Sequence, residues 1–330
     1  MEENKNEDSG FNRSAAKNIC PLCGSISSVI AGQNNVFRKV FSVSFCRECE
    51  LYYFNEKPSE EFLKDYYSGE YFSESNLSKV SYSFKSFFSK MRALSQYKYI
   101  VSKIHSSEGK SVLEIGSADG TFLSIFKRNG WNVRGLEFSD YMIKKAAEKH
   151  RIHLEKKDIT EIDPEKEKFD LIAFPHVLEH LTDPLKILGY AQKLLKPNGF
   201  VFIELPFSPD YGEVSAQELS EYLNTTHLYD FRKKSLEKLI VKAGLTPLFC
   251  DRFFYPVPKI LKKSGKTTGK ILMTGSFKGK NLLSAFPVFL TVSNIYFRSV
   301  KSADPMDRIR SESSWRGLGD NIRIIAGINT

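Results

Sequence analysis

Four cysteines fall into two pairs, Cys20-Pro21-Leu22-Cys23 and Cys46-Arg47-Glu48-Cys49, with 22 residues between them. Four thiolates at this spacing can surround one zinc ion tetrahedrally. Such a closed site stabilises a small module and leaves no coordination position for a substrate. A redox dithiol is the competing use of a C-x-x-C pair. Cys250 stands apart, beside aromatic residues, and reads as a small buried hydrophobe.

A second group of residues could hold a nucleoside. Ser111-Val112-Leu113-Glu114-Ile115 predicts a short buried strand, and an apolar helix begins near Thr121. Gly116 and Gly120 bracket the loop between them, which contains Ser117, Ala118 and Asp119. A strand, a glycine loop and a helix N-terminus make a cradle that backbone can bring close to a nucleoside-bearing cofactor. A bulky side chain at either glycine would fill the space the ligand needs. Glu137 ends the next strand, 21 residues after Gly116, where a carboxylate can accept from both ribose hydroxyls. Phe138 follows it and could pack against the base. Plainer readings stand beside these: a packing turn for the loop, a solvated strand end for Glu137, and an N-cap or a surface charge for Asp158.

Elements must position these groups. From residue 111 the chain alternates strand and helix, with strands expected at 111–115, 132–137, 152–156, 169–174 and 199–205. Helices are expected at 121–129, 140–150, 183–195 and 233–243. That alternation predicts a parallel sheet covered by helices on both faces. Thr246–Phe254 and Asn321–Gly327 read as a sixth and a seventh strand. Before residue 111, strand-like runs at Ser28–Ile30, Val36–Phe45 and Leu51–Phe54 accompany the cysteines. Helices follow near 58–66 and 83–105.

With 330 residues and 41% hydrophobic content, the chain can bury a sizeable core. It has no run of eighteen uncharged apolar residues and no export signal, so the expectation is a cytoplasmic protein. The net charge of +9 is concentrated. Residues 252–316 carry 13 Lys/Arg against 3 Asp/Glu, so the basic character belongs to one segment. Within it, Lys259, Lys262, Lys263, Lys266 and Lys270 precede an apolar stretch, Leu282–Phe297, broken by Pro287. Stretch 259–298 could lie at a membrane interface, or form a lid over an anionic acceptor, or pack on the sheet or a second copy.

The loop spacing, Glu114-x-Gly116-x-x-x-Gly120, resembles motif I of class I S-adenosylmethionine (SAM) methyltransferases. The resemblance covers roughly residues 111–250 and the last ten. It continues through F-D-L-I-x-x-x-x-V-L-E-H-L-x-D-P (from Phe169) and Leu194-Leu195-Lys196-Pro197-Asn198-Gly199. It implies a seven-stranded, Rossmann-like α/β sheet with helices on both faces, whose last two strands form an antiparallel hairpin. It also implies that Glu114 lies near the methionine end of the cofactor. Asp158 would accept from the adenine amino group, with the Ile159 N–H supporting the ring. Pro175 and His176 would line the methyl-donor pocket.

Methyl transfer needs alignment and, for a protonated acceptor, a base. His227, His180 and Glu179 are the candidates. Tyr222–Phe231 resembles the E-H-x-x-x-F element of sugar C-methyltransferases, with Thr226 in place of the Glu. His227 is then either a base or a brace for its loop; for His180, before Leu181 on an apolar turn, the structural reading leads, and Glu179 could brace the same turn. The cysteine module resembles the N-terminal zinc ribbon of bacterial methyltransferases of this kind. Tyr66, Tyr67 and Tyr71 would close over cofactor or acceptor there, or pack in the core.

The expected organisation is a disordered tail at 1–17, a zinc ribbon at 18–56 and a helical, aromatic cap at 57–107. A SAM-binding domain at 108–255, a basic lid or insertion at 256–318 and a final strand at 319–330 complete it. The expected function is SAM-dependent methylation of a small polar acceptor, most plausibly a nucleotide- or lipid-linked sugar, by a monomer or homodimer. An RNA methyltransferase is the alternative, although the chain lacks the Asn/Asp-Pro-Pro-aromatic motif of amino-directed nucleic-acid enzymes. A non-catalytic SAM- or zinc-binding scaffold is a third.

Overall fold

The computed structural model describes residues 11–12, 19–37, 39–68, 79–105, 109–207, 226–254 and 320–328. The 256–318 insertion and Tyr71 lie outside them.

The chain opens with β1 (Phe11–Asn12), β2 (Ser28–Val36), β3 (Lys39–Cys46), β4 (Tyr52–Phe54) and β5 (Lys57–Pro58). Helices α1 (Glu60–Ser68) and α2 (Lys79–Ile104) follow. The larger domain then runs β6 (Ser111–Ile115), α3 (Thr121–Arg128), β7 (Asn132–Leu136), α4 (Asp140–His150), β8 (Phe169–Pro175), α5 (Pro184–Lys193), β9 (Leu195–Pro206) and β10 (Tyr229–Asp230). It ends with α6 (Lys233–Lys242), β11 (Leu245–Phe254) and β12 (Asp320–Ile328).

Six strands form the main sheet in the order β11-β12-β9-β8-β6-β7. β7, β6, β8 and β9 are parallel, and β12 runs antiparallel to both β9 and β11. Local chemistry sets the helix starts. Ser139 Oγ accepts from the Met142 N–H at the start of α4. Asp183 accepts from the Lys186 N–H, and Pro184 occupies the first turn of α5.

Three expectations are corrected. The strand at 152–156 is reduced to one parallel bridge, Leu136 to Glu155, so among the described residues the sheet has six strands where seven were expected. Ile152 and Leu154 still bury. Exposed Lys156 and Lys157 follow, and Asp158 caps a 3-10 turn, so pairing stops. The tail at 1–17 is not wholly disordered, because Phe11 and Asn12 pair with Pro58 and Lys57. The run Val36–Phe45 is not one strand. Phe37 has φ of 52° at the turn between β2 and β3, which places Val36 on β2.

The N-terminal strands form a second, antiparallel sheet in the order β10-β4-β3-β2. Its outer strand, Tyr229–Asp230, comes from between β9 and α6 of the larger domain. Tyr229 pairs with Tyr53, and Asp230 with Tyr52. The two sheets also share a core. Leu22, Phe41, Leu51 and Tyr52 belong to one apolar cluster with Leu188, Leu236 and Leu239 on the helices of one face. The other face packs Ile100, Phe122, Phe126 and Trp131 against Leu171 and Phe202. The cysteine module is therefore continuous with the core of the main domain, and its burial contributes to both. Among the described residues, no helix is long and apolar enough to cross a membrane.

Candidate functional site

The site lies at the C-terminal ends of β6, β7 and β8, where open α/β sheets place their ligands. Gly116 and Gly120 have φ of +66° and +71°, so both sit in the left-handed region. A Cβ on Gly116 would come 2.7 Å from Val177 Cγ2, and one on Gly120 would come 3.1 Å from Ala146 Cβ. The loop is thus pressed onto the turn after β8 and onto α4. Ala118 between them has φ of 44°. A further glycine was not singled out from sequence: a Cβ on Gly135 would collide with Ser117 Oγ. A glycine inside an otherwise ordinary strand was the available signal.

Glu114 is 2% exposed. Burial pushes its carboxyl well above the usual range, and its Oε2 has no hydrogen-bond partner among the described residues. Glu137 is also buried, which raises it. Its Oε2 accepts from the Ala118 N–H at 2.8 Å and its Oε1 from the Ser139 N–H at 2.8 Å. Glu137 therefore ties the glycine loop to the head of α4, and each oxygen keeps acceptor capacity. Ser117 Oγ donates to the Glu114 carbonyl. Asp119 accepts from the Thr121 N–H and pairs with Lys149 at 2.7 Å, which makes it an anchor for α3. Asp158 accepts from the Thr160 N–H, while Glu161 accepts from the Asp158 N–H. This capping box is the plainer reading of Asp158. Ile159 is buried beside it. Phe138 lies 5.6 Å beneath the Lys64 ammonium of α1.

The histidines gather next to this cradle. His176 follows Pro175 at the end of β8 with φ of 58°. Its Nε2 lies 3.1 Å from Glu204 Oε1, and its Nδ1 lies 3.6 Å from Glu179 Oε1. Glu179 is 1% exposed, and neither carboxylate oxygen has a hydrogen-bond partner among the described residues. One carboxylate oxygen of Glu179 and a ring nitrogen from each of His180 and His227 lie within 4.8 Å of one another. The His180 and His227 rings meet edge to face, 4.9 Å apart. His180 Nδ1 lies 3.1 Å from the Thr226 carbonyl and 2.9 Å from the Tyr67 hydroxyl. A carbonyl only accepts, so Nδ1 carries the proton and Nε2 is left basic. Burial pulls His180 down to about 4, with Glu179 opposing, so it is neutral at neutral pH. Burial also disfavours charge on His227, but Asp230 Oδ1 at 3.2 Å and Glu179 outweigh it and raise the imidazole.

Tyr67 reaches His180, whereas Tyr66 does not. Tyr66 packs edge to face on Phe37 at 4.9 Å and stacks near Phe62, inside an aromatic cluster. Asp230 was missed from sequence, although it stands three residues after His227 and sets a carboxylate oxygen 3.2 Å from its Nδ1. Glu204 and Arg323 were missed as well. The signal was a lone charge in each of two apolar strands, FVFIELP and NIRIIAG, since buried charges occur in pairs.

The four cysteines converge elsewhere, with all sulfurs within 4.8 Å of one another. Cys20 to Cys49 and Cys23 to Cys46 are each 3.5 Å. Thiolates 2.3 Å from one tetrahedral zinc lie about 3.8 Å apart, so the four sulfurs fit such an ion. Gly24 with φ of 75° and Glu50 with φ of 61° close the two knuckles.

This strand order, with an antiparallel last hairpin and a glycine loop after the first parallel strand, is the class I SAM-dependent methyltransferase fold. Residues 88–248 match the family model described as a methyltransferase domain, and the chain carries a domain of that class. It is 31% identical over 120 residues to a ubiquinone biosynthesis O-methyltransferase from Pasteurella multocida (strain Pm70), covering 32% of this chain and 49% of that one. Over 114 residues it is 32% identical to a protein of the same name from Actinobacillus pleuropneumoniae serotype 5b (strain L20), with the same two coverages. The chain thus spans about half the length of these curated relatives. Magnesium protoporphyrin IX methyltransferase from Synechocystis PCC 6803, solved with bound SAH, superposes with a TM-score of 0.50 at 10% identity. That match covers 82% of this chain and all of the other.

Proposed function

We propose that this protein transfers the methyl group of SAM to a small polar acceptor, most plausibly a sugar carried on a nucleotide or lipid diphosphate. The observation that carries the reading is the Tyr67–His180–His227–Glu179 cluster set against the glycine loop. SAM supplies an electrophilic methyl group on a sulfonium. The Gly116–Gly120 loop would offer backbone to its nucleoside, its glycines serving the left-handed turns and the packing on Val177 and Ala146 instead of the ligand space expected from sequence, and Glu137 has acceptor capacity for its ribose. Glu114, a buried carboxyl with an orphaned oxygen, offers a partner to the ammonium of its methionine end. Phe138 and Ile159 would flank the adenine, with Asp158 accepting from its amino group.

At the acceptor side, His180 Nε2 is the base. It takes the proton as the acceptor oxygen or carbon forms its bond to the methyl carbon. The bonding pair to sulfur returns to sulfur, so the leaving product is a neutral thioether. Buried Glu179 stabilises the imidazolium that results, and Tyr67 and the Thr226 carbonyl hold the ring. His227, held by Asp230, orients the acceptor. Zinc at Cys20, Cys23, Cys46 and Cys49 would be structural, since four thiolates leave no open position.

A second reading is favoured by the names of the relatives, in which the acceptor is the kind of hydroxylated compound methylated in ubiquinone biosynthesis. Calorimetry with SAM, followed by methyl-release assays on nucleotide sugars, on ubiquinone-precursor phenols and on RNA, separates these readings. Absence of SAM binding overturns both. Turnover on RNA that weakens steeply with salt would favour a nucleic-acid acceptor instead.

A further inference from the structure

Behind the histidine cluster lies a buried ion pair. Glu204 on β9 and Arg323 on β12 are direct cross-strand partners, and both are fully buried. The Arg323 Nε donates to Glu204 Oε2. The rest of the guanidinium is held as well. Its Nη1 donates to Ser95 Oγ on α2 at 3.2 Å, and its plane lies 3.7 Å from the Phe253 ring centroid on β11. Glu204 presents its other oxygen to His176 Nε2 at 3.1 Å, and His176 Nδ1 faces Glu179 Oε1 at 3.6 Å. Contacts thus run from the last strand of the sheet to the histidine pair: Arg323 to Glu204, Glu204 to His176, His176 to Glu179, and Glu179 to the neutral His180 and to His227.

A buried ion pair is weak evidence for stability, because desolvating both charges offsets most of the attraction. An apolar pair would pack as well in strands made otherwise of Val, Phe and Ile. The pair therefore calls for a purpose other than stability. We propose that Arg323 and Glu204 are positioning residues for the acceptor site, holding His176 against Glu179 so that an ionised Glu179 is presented to His180 and His227. This rests on the methyltransferase reading above and deepens it.

Electrostatics agree with the geometry. Burial and Arg92 of α2 disfavour charge on His176, yet Glu179 and Glu204 outweigh them and raise it. Burial would raise Glu204, but Arg323 and then His176 drive it far down. Burial would likewise raise Glu179, and His176, His180 and His227 lower it overall. Removing the Glu204 charge takes from His176 one of its two carboxylates. Its imidazole then loses its proton more readily, and Glu179 loses the cation that helps keep it ionised.

The test uses full-length protein and two variants. Glu204→Gln removes the charge and keeps the shape. The double variant Glu204→Leu with Arg323→Met replaces the pair by apolar side chains and keeps the protein folded if the single variant does not fold. Histidine nitrogens are titrated by NMR in protein without acceptor. His176 in the wild type should titrate above the ordinary histidine range, and in either variant its midpoint should fall by about a pH unit, a tenfold change in proton affinity. In methyl-release assays kcat should drop about tenfold with a shifted pH profile, while the SAM dissociation constant stays within about twofold. Folded variants with an unmoved His176 titration and an unmoved pH profile overturn the proposal. The NMR readout needs no turnover. A wild type that methylates nothing therefore defeats the functional reading separately from this one.

Discussion

Tyr229 stands directly opposite Tyr53 in antiparallel register, although 176 positions separate them in the chain. Through this pair the strand beside His227 is an edge of the cysteine-bearing sheet. The Phe54 N–H reinforces it by donating to the Leu228 carbonyl at 3.0 Å, and the Leu228 N–H donates to the Glu179 carbonyl at 2.8 Å. The segment carrying His227 is thus held from one side by the cysteine module and from the other by the turn after β8.

If the four cysteines hold zinc as proposed, its removal should be felt at a distance. Chelation, or Cys46→Ser, is expected to lower the melting temperature by more than about 5 °C. It should also raise amide exchange at Leu228 to Asp230, with SAM affinity changed less. Exchange at those amides that is unaffected in metal-free protein would sink the coupling.

Gly116→Ala is expected to destabilise the fold by about 1–3 kcal/mol, because φ of +66° disfavours any Cβ and this one meets Val177. Adding Val177→Ala should recover part of the loss, the part due to the clash. A double variant no better than the single would show that the clash is not the cause. Urea denaturation measures both.

Stability should fall between pH 6.5 and 4. His180 binds its proton near 6.5 when unfolded and at about 4 when folded. Its contribution is therefore complete above pH 6.5 and is lost as pH drops toward 4, by at most about 3 kcal/mol. His180→Gln should flatten that part of the curve. The same variant should cut kcat by roughly a hundredfold or more, as loss of a general base does. A pH–stability curve of unchanged slope would contradict the burial argument.

Glu137→Gln places an amide where a carboxylate accepts from two backbone N–H groups. One of the two contacts becomes donor facing donor, so SAM should bind roughly ten- to a hundredfold more weakly. Calorimetry reads this directly. Affinity within twofold of the wild type would mean that Glu137 neither shapes the loop nor meets the ribose.

Much was legible in the order of residues. The alternation of strand and helix from residue 111, the glycine loop and the two C-x-x-C pairs are all local patterns, and local patterns follow from backbone sterics, helix caps and ligand spacing. Asp183-Pro184 marks the start of α5 within one residue for the same reason. Even Asp158 carried its plainer reading, a cap, in its position before a short turn.

The rest depends on contacts between residues far apart in the chain. Nothing near Tyr229 reveals that it completes a sheet begun at residue 28, because strand pairing across that distance is decided by which edge is left open after folding. Tyr66 and Tyr67 are adjacent and alike, yet α1 turns one into an aromatic cluster and the other onto His180, a difference of 100° around the helix. Glu204 and Arg323 are single charges in apolar strands until antiparallel register sets them opposite each other. Composition and spacing therefore reveal the methyltransferase scaffold and the paired cysteines. The line of contacts from Arg323 to His227 exists only once the sheet is assembled, since desolvation and partner distance are properties of the packed molecule.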